Sequence, residues 1–228
     1  MFTLQSPLKP DWSEVLQINQ EFGANQVDFY KRLNLVGHNG IDFYTQHYAN
    51  EGKVGEGPVL AAHDGYVISN STTQSDTAGR FVRLETDEIE IDGRPCKVQT
   101  VYFHLKSCRV STSDNLNEPK NKDKYNQQQH PGKYWVRAGS EVGISDNTGQ
   151  YTTGAHLHFG MYILWKRSNG VFSMDSQNGY AGAVNPMPFF NDNRVMQNLI
   201  GLFDSRFFKN GKNFLRKDFE KMLGPDAI

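Results

Sequence analysis

The chain has 228 residues, of which 24 are basic and 25 acidic, and its formal net charge is -1 at pH 7. A charge so close to neutral excludes a global field that would draw the protein to nucleic acid or to an anionic membrane. No stretch approaches the ~18 apolar residues of a membrane span, and the first residues lack the basic and apolar regions of a secretory signal. We therefore expect no membrane span, no nucleic-acid partner and no signal peptide in this sequence.

The length predicts one main domain with additions at both ends, since domains commonly hold on the order of 100 to 200 residues. Glycine occurs 21 times and aromatic residues make up 12% of the chain, which is typical of a turn-rich β protein. We predict a lead-in segment at 1–36, a main domain at 37–190 and a tail at 191–228. The lead-in carries a predicted short helix around 11–23.

The main domain is predicted to consist of short strands separated by turns that contain glycine and asparagine. Six runs rich in β-branched and aromatic residues support this prediction: 40–44, 57–70, 79–86, 96–105, 133–145 and 155–164. Such a series indicates a mainly β fold, as an antiparallel sandwich or barrel.

The two cysteines, Cys96 and Cys108, lie at opposite ends of one predicted strand. At ~3.3 Å per residue, that strand separates them by on the order of 35 Å. A disulfide needs Cα atoms within about 7 Å of each other. We therefore predict two free thiols and a fold that does not depend on a disulfide.

Two segments are predicted to lie outside the sheet. Residues 112–133 contain almost no aliphatic side chain and form a predicted surface loop, which is either a tolerated insertion or a wall of a substrate groove. In the tail, apolar residues recur at three- and four-residue spacing, which predicts two short amphipathic helices. Their apolar faces would pack on the domain or on a partner copy, and docking to a wall, membrane or virion is the alternative.

Four side chains have a spacing that suggests a metal site. His38 and Asp42 stand four apart in "GHNGID", where flanking glycines favour a turn that enters a strand. His156 and His158 alternate with apolar residues in "AHLHF", so that both imidazoles point to one face of a strand. Two imidazoles and a carboxylate are ligands that zinc accepts, and a catalytic zinc site keeps a further position open for water.

A fifth residue, His104 in "VYFHLKS", offers an additional polar group near the end of an apolar strand. Hydrolysis at a metal benefits from such a group, because the oxyanion on the attacked carbonyl needs hydrogen-bond donors. Each histidine pattern is a weak signal alone, but the patterns together in one β-rich chain predict a metal site. The remaining histidines, His47, His63 and His130, are expected to have structural roles.

Five blocks of the sequence resemble, in order, the lysostaphin-type (LytM-like) zinc metallopeptidases, which cut peptide bonds in bacterial peptidoglycan. The blocks are "GHNGIDF", "GPVLAAHDGYV", "VYFHL", "VRAGSEVGISDNTG" and "GAHLHF", and "AVNPMPFF" resembles the closing Asn-Pro of that family. The resemblance spans about 37 to 190. It implies an antiparallel β-sandwich of the barrel-sandwich hybrid type.

The resemblance also implies roles for individual residues. His38, Asp42 and His158 stand at the positions of the zinc ligands, with one Zn²⁺ per chain, and His104 and His156 stand at the positions of the catalytic histidines. The implied partner is a peptidoglycan peptide, and the implied place of action is the cell wall, reached by export or on a phage particle, as for an endolysin. We expect a monomer.

The departures from the family pattern affect the expected cleavage specificity more than the expected metal site. Gly160 replaces the Glu that often follows "HLHF", and the loop at 112–133 is an insertion. A groove for an extended peptide needs aromatic walls. The candidates for these walls are Tyr44, Tyr102, Tyr151 and Phe159.

Two other classes of function remain to be weighed. A catalytically silent scaffold or activator of another wall hydrolase would be expected to lack some of the metal ligands. This chain has a residue of the expected type at every metal-ligand and catalytic position. A carrier domain of the lipoyl or biotinyl kind would need a modifiable lysine in a characteristic turn, and the sequence has none. The sequence leaves open which peptide bond is cut.

Overall fold

The computed structural model of the protein describes residues 2–8, 16–24, 27–46, 49–50, 53–73, 77–110 and 134–191. The strands are β1 (Ile18–Gln20), β2 (Ile41–Tyr44), β3 (Ala49–Asn50), β4 (Lys53–Val54), β5 (Pro58–Leu60), β6 (Gly65–Ser71), β7 (Arg80–Glu85), β8 (Ile89–Ile91), β9 (Arg94–Cys108), β10 (Trp135–Val136), β11 (Glu141–Ser145), β12 (His156–Lys166), β13 (Phe172–Ser173) and β14 (Ala183–Val184). Helical structure in these ranges is confined to α1 (Val27–Arg32) and a 3-10 turn at Met187–Phe189. None of the described helices is long and apolar enough to cross a membrane.

The predicted mainly β fold is confirmed. Across the described ranges, twelve strands form one antiparallel sheet, whose main path runs β1-β2-β12-β9-β7-β6-β10. Strand β11 joins β5 to β9, β8 pairs with β9, and β13 and β14 pair with β12. Strands β3 and β4 form a separate two-stranded ribbon.

The centre of the sheet is the pairing of the two longest strands, β9 with 15 residues and β12 with 11. Their register runs from His158 opposite Phe103 to Trp165 opposite Cys96. Alternate residues of β12, such as Leu157 and Phe159, enter the core and are fully buried. The intervening residues occupy the other face of the sheet.

One main apolar core lies under the sheet and receives side chains from most of its strands. Its largest fully buried members are Tyr102, Phe43, Phe159, Leu4, Leu8, Ile41, Leu84 and Leu105. Because Leu4 and Leu8 belong to this core, the beginning of the lead-in is part of the packed domain. The backbone N–H of Leu4 donates to Phe189 O at 2.7 Å, which ties that segment to residues near the end of the described chain.

The predicted helix around 11–23 is wrong over the part that the structure describes. Ile18–Gln20 forms β1, which pairs with β2 through Ile18 opposite Phe43 and Gln20 opposite Asp42. The available edge of β2 outweighs the local helical pattern, because a strand there gains backbone hydrogen bonds and places Ile18 against the core. The short helix of the lead-in is instead α1.

The prediction for the cysteines is confirmed, since both are free and stand on β9. Other predicted features fall outside the described residues: the loop at 112–133, the helices expected after residue 191, and the side chains of His47 and His130.

His63 has the structural role that was expected of it. Its side chain is buried, and its Nδ1–H donates to Asp64 O at 2.7 Å. Its Nε2 lies 2.9 Å from the Thr100 hydroxyl and accepts from it. Burial lowers the pKa of His63 from 6.5 to about 4, because a buried imidazolium would lose its hydration.

This burial predicts a loss of stability in mild acid. The unfolded imidazole binds a proton as the pH falls below 6.5, whereas the folded one does so only near pH 4. The contribution of His63 to the free energy of unfolding is therefore complete above pH 6.5 and decreases as the pH falls from 6.5 to about 4. We expect His63→Gln to reduce the fall in unfolding free energy between pH 7.5 and 4.5 by about 2 kcal/mol. Urea unfolding of both metal-free proteins measures this difference, and equal falls would contradict the prediction.

Candidate metal centre

The centre is built on the face of the sheet opposite to the core, where β2 lies beside β12. His158 stands directly opposite Asp42, and His156 stands opposite Tyr44. Ile41 and Phe43 on β2 enter the core, so the alternation of the strand turns Asp42 to the other face. The same alternation on β12 turns both histidines to that face. The sequence prediction that His156 and His158 share a face is therefore confirmed by the register.

His38 precedes β2 and is held by the lead-in. Its backbone N–H donates to Ala24 O at 2.8 Å, and its carbonyl accepts from Gly23 N at 2.7 Å. On the ring, Nδ1–H donates to Glu21 O at 3.1 Å. Because a carbonyl can only accept, this contact leaves the lone pair on Nε2, which is the atom that faces Asp42.

Three ligand atoms converge at this point. His38 Nε2 lies 3.2 Å from Asp42 Oδ1, and His158 Nδ1 lies 3.0 Å from the same oxygen. The two imidazole nitrogens are 3.0 Å apart. Both rings are buried, while the carboxylate keeps 13% of its surface exposed.

This donor set fits a divalent ion such as zinc. Two imidazoles and one carboxylate are protein ligands of catalytic zinc sites, which leave one further position open. The hydrogen bond from His38 to Glu21 O is a contact of the kind that orients metal-ligating histidines. The ligand atoms of this trio all lie within 4.8 Å of one another, close enough to hold a single metal ion.

The charge states of the trio also suit a cation. Burial alone would raise the pKa of Asp42, but the neighbouring His158 and His38 outweigh it and hold that pKa well below its usual range. Burial lowers the pKa of His158, although Asp42 opposes the shift. An ionised carboxylate and neutral imidazoles are the forms in which these side chains bind metal.

His156 and His104 stand beside the trio. Their ring centroids are 4.7 Å apart, and His156 Nε2 lies 3.7 Å from Asp42 Oδ1. His156 Nδ1–H donates to Gly154 O at 2.7 Å, and His104 Nδ1–H donates to Thr148 O at 2.8 Å. Both rings therefore carry the lone pair on Nε2. Burial, together with the neighbouring His156 and His158, lowers the pKa of His104 to about 3.

His104 reaches the site only because β9 contains a bulge. Leu105 pairs with Arg80 and Tyr102 pairs with Val82, so that Phe103 and His104 together face a single residue of β7. Tyr102 and Leu105 are both fully buried in the core. The bulge gives His104 a φ of 65°, in the left-handed region.

The His158 ring is confined by two neighbouring residues. The Phe103 ring stacks on it with centroids 5.2 Å apart and an interplanar angle of 11°. In addition, a Cβ at Gly40 would lie 2.6 Å from His158 Nε2 and Cε1. Position 40 therefore requires glycine because of close approach, and this constraint accounts for the glycine between His38 and Asp42.

The three tyrosines predicted to line a groove lie in different environments. Tyr44 stands beside His156 on the site face, and Tyr151 is 50% exposed with its ring 5.5 Å from that of Phe29. Tyr102 is fully buried, and its hydroxyl accepts from Ala62 N at 2.7 Å. A side chain packed into the core cannot contact a bound peptide, so Tyr102 does not fit a groove wall. Phe159 is excluded for the same reason.

Sequence reasoning missed the residues that orient the histidines through backbone carbonyls. Glu21, Thr148 and Gly154 supply these carbonyls, and the identity of a side chain carries no direct signal for such a role. The proximity of Thr148 and Gly154 to the histidine motif in the sequence was the available hint. Glu21 offered none, because its segment was interpreted as a helix.

No protein-family model and no curated protein matches this sequence. Solved structures to which this chain is similar include the following three. The catalytic domain of lysostaphin from Staphylococcus simulans is 23% identical, with 76% of this chain and 91% of that chain covered and a TM-score of 0.46. LytU is 24% identical, with coverages of 82% and 95% and a TM-score of 0.46. A zinc-containing peptidase from Vibrio cholerae is 21% identical, with coverages of 72% and 37% and a TM-score of 0.46.

The confinement of His158 predicts the effect of Gly40→Ala. The added methyl would displace the imidazole from Asp42, so we expect Zn²⁺ affinity to fall by about 10- to 100-fold, as for other changes that misorient a ligand. Isothermal titration with Zn²⁺ measures the affinity. The control is Gly93→Ala, whose Cβ meets nothing within 4 Å and which strains a distant turn at φ 74°. Equal losses in the two variants would contradict the assignment of Gly40.

Proposed function

We propose that this protein is a zinc-dependent metalloendopeptidase that hydrolyses peptide bonds in the stem or cross-bridge peptides of bacterial peptidoglycan. The observation that carries the proposal is the convergence of His38, Asp42 and His158 beside two further histidines whose Nε2 atoms carry lone pairs. The motif order described in the sequence supports peptidoglycan as the substrate class. Action at the cell wall as a monomer is part of the same proposal.

The metal-binding role falls to three side chains. His38 through Nε2, His158 through Nδ1 and Asp42 through its carboxylate would hold the zinc ion. When bound, the ion would polarise the scissile carbonyl and lower the pKa of a water molecule to about 7. Asp42 offsets part of its charge, and the carbonyl of Glu21 keeps the His38 ring in the required tautomer.

The proton-transfer role falls to His104 and His156. In each ring the Nδ1–H is committed to a backbone carbonyl, so Nε2 can only accept in the neutral state. The first act of either ring is therefore to accept a proton from the attacking water. The resulting imidazolium can then donate from Nε2 to the oxyanion or to the leaving amine. The predicted role of His104 as an oxyanion donor requires this prior protonation.

The surroundings of the histidines favour this chemistry. His104 and His158 are buried, which excludes bulk water from one side of the centre and strengthens hydrogen bonds within it. Tyr44 and the exposed Tyr151 remain the candidates for contacts with an extended peptide. The bond that is cut depends on these surroundings and not on the metal ligands.

Two kinds of substitution separate binding of the metal from proton transfer. His38→Ala and His158→Ala each remove a ligand and should abolish both Zn²⁺ binding and activity. His104→Ala removes a group that does not contact the ion, so the zinc content should stay at one per chain while the rate falls by about 10² to 10⁴-fold. Elemental analysis measures the zinc, and mass spectrometry measures the fragments released from peptidoglycans of different cross-link chemistry.

His63→Gln is the matched control, because His63 is buried but lies outside the centre and should retain both properties. Loss of zinc from His104→Ala would contradict the division of roles. Release of no fragments from any wall by the zinc-loaded protein would contradict the peptidase and favour a silent wall-binding scaffold.

A further inference from the structure

The left-handed conformation of His104 needs an explanation within the fold. A non-glycine residue in this region is strained and persists only where its surroundings fix it. His104 has a φ of 65° within the longest described strand. In a strand of regular alternation, the imidazole would instead lie on the core face with Tyr102.

Thr148 contacts the backbone on both sides of the bulge. Its hydroxyl donates to Leu105 O at 2.7 Å and accepts from Arg80 N at 3.0 Å. Arg80 and Leu105 are cross-strand partners at the bulge. One buried hydroxyl therefore bridges β7 and β9 where their register shifts.

The same residue also holds the ring. The carbonyl of Thr148 accepts from His104 Nδ1–H at 2.8 Å, while the backbone N–H of His104 donates to Ala78 O at 3.0 Å. Thr148 is only 4% exposed, so water competes little for these hydrogen bonds. The backbone and the ring of His104 are thus fixed from two neighbouring segments.

Two glycines permit this approach. A Cβ at Gly79 would lie 2.3 Å from Thr148 O, and a Cβ at Gly149 would lie 2.8 Å from Thr77 O. Both glycines also have positive φ, at 65° and 111°. The segments at 77–79 and 148–149 therefore pack backbone against backbone beside the bulge.

We propose that Thr148 is a positioning residue, whose hydroxyl stabilises the bulge of β9 and so keeps the His104 ring beside the metal centre. The consequence for catalysis rests on the proposed function, because it takes His104 as the proton acceptor. The effect of the hydroxyl on His104 itself does not depend on any activity. The two parts can therefore fail separately.

The test compares Thr148→Val, which removes the hydroxyl at nearly constant volume, with Thr148→Ser, which keeps it. Long-range ¹H–¹⁵N spectra follow the Nδ1–H of His104 in the full-length protein, with the Nδ1–H of His38 as an internal reference. In the Val variant we expect the His104 signal to be lost to exchange and the His38 signal to remain. The Ser variant should retain both signals.

Kinetics on peptidoglycan fragments gives the second readout. Displacement of a catalytic group by about 1 Å can cost on the order of 10²-fold in rate, so kcat of the Val variant should fall by about that factor with KM unchanged. The zinc content should stay at one per chain, and Thr148→Ser should restore most of kcat. The matched control is Thr45→Val, which removes a buried hydroxyl that has no partner among the described residues and should change neither readout.

Retention of the His104 signal in Thr148→Val, or its loss in Thr148→Ser, would overturn the proposal. If the Val variant does not fold, Thr148→Ala takes its place with the same expectations. Failure of both variants to fold would also overturn it, because the hydroxyl would then support the whole fold and not His104 in particular. If the wild-type protein cleaves no wall, the proposed function fails, and the spectra alone decide the positioning role.

Discussion

The site depends on one buried carboxylate and the histidines around it. Asp42 Oδ1 lies 3.2, 3.0 and 3.7 Å from nitrogens of His38, His158 and His156. A carboxylate that is taken out of water in this way must be compensated, because an unpaired buried charge is strongly destabilising. His158 provides part of that compensation through its hydrogen bond to Asp42, whereas His38 and His156 turn lone pairs toward the carboxylate, so a cation would provide the rest. The cost of burying Asp42 therefore favours an arrangement that gathers ligands for a metal.

The same kind of hydrogen bond orients three of the histidines in and beside the metal centre. His38, His104 and His156 each donate Nδ1–H to a backbone carbonyl, from Glu21, Thr148 and Gly154. Each hydrogen bond selects one tautomer and one ring orientation. His158 is the exception, because it directs Nδ1 to Asp42 and is confined by the Phe103 ring and by the close approach of Gly40. Steric contacts orient the His158 ring, whereas hydrogen bonds to backbone carbonyls orient the other three rings.

The sheet makes the arrangement rigid by tying it to the core. Asp42 and His158 alternate along β2 and β12 with Phe43 and Phe159, which are fully buried. Slippage of either strand by one residue would move these phenylalanines to the solvent face and the polar groups into the core. The apolar contacts of the core thus fix the register on which the convergence of the ligands depends. The sheet therefore cannot change its register to relieve the backbone strain at His104.

The sequence by itself determined the features that depend only on the alternation of a strand and on local spacing. It predicted the mainly β fold, the free cysteines, the shared face of His156 and His158, and the proximity of Asp42 to His38. Tertiary structure alone decided the features that depend on contacts between distant segments. Alternation would have sent His104 to the core with Tyr102, and the bulge opposite β7 reverses that outcome. The pairing of β1 with β2 replaces a predicted helix and brings the Glu21 carbonyl to His38. Local patterns cannot specify these features, because the backbone groups that produce them carry no residue identity.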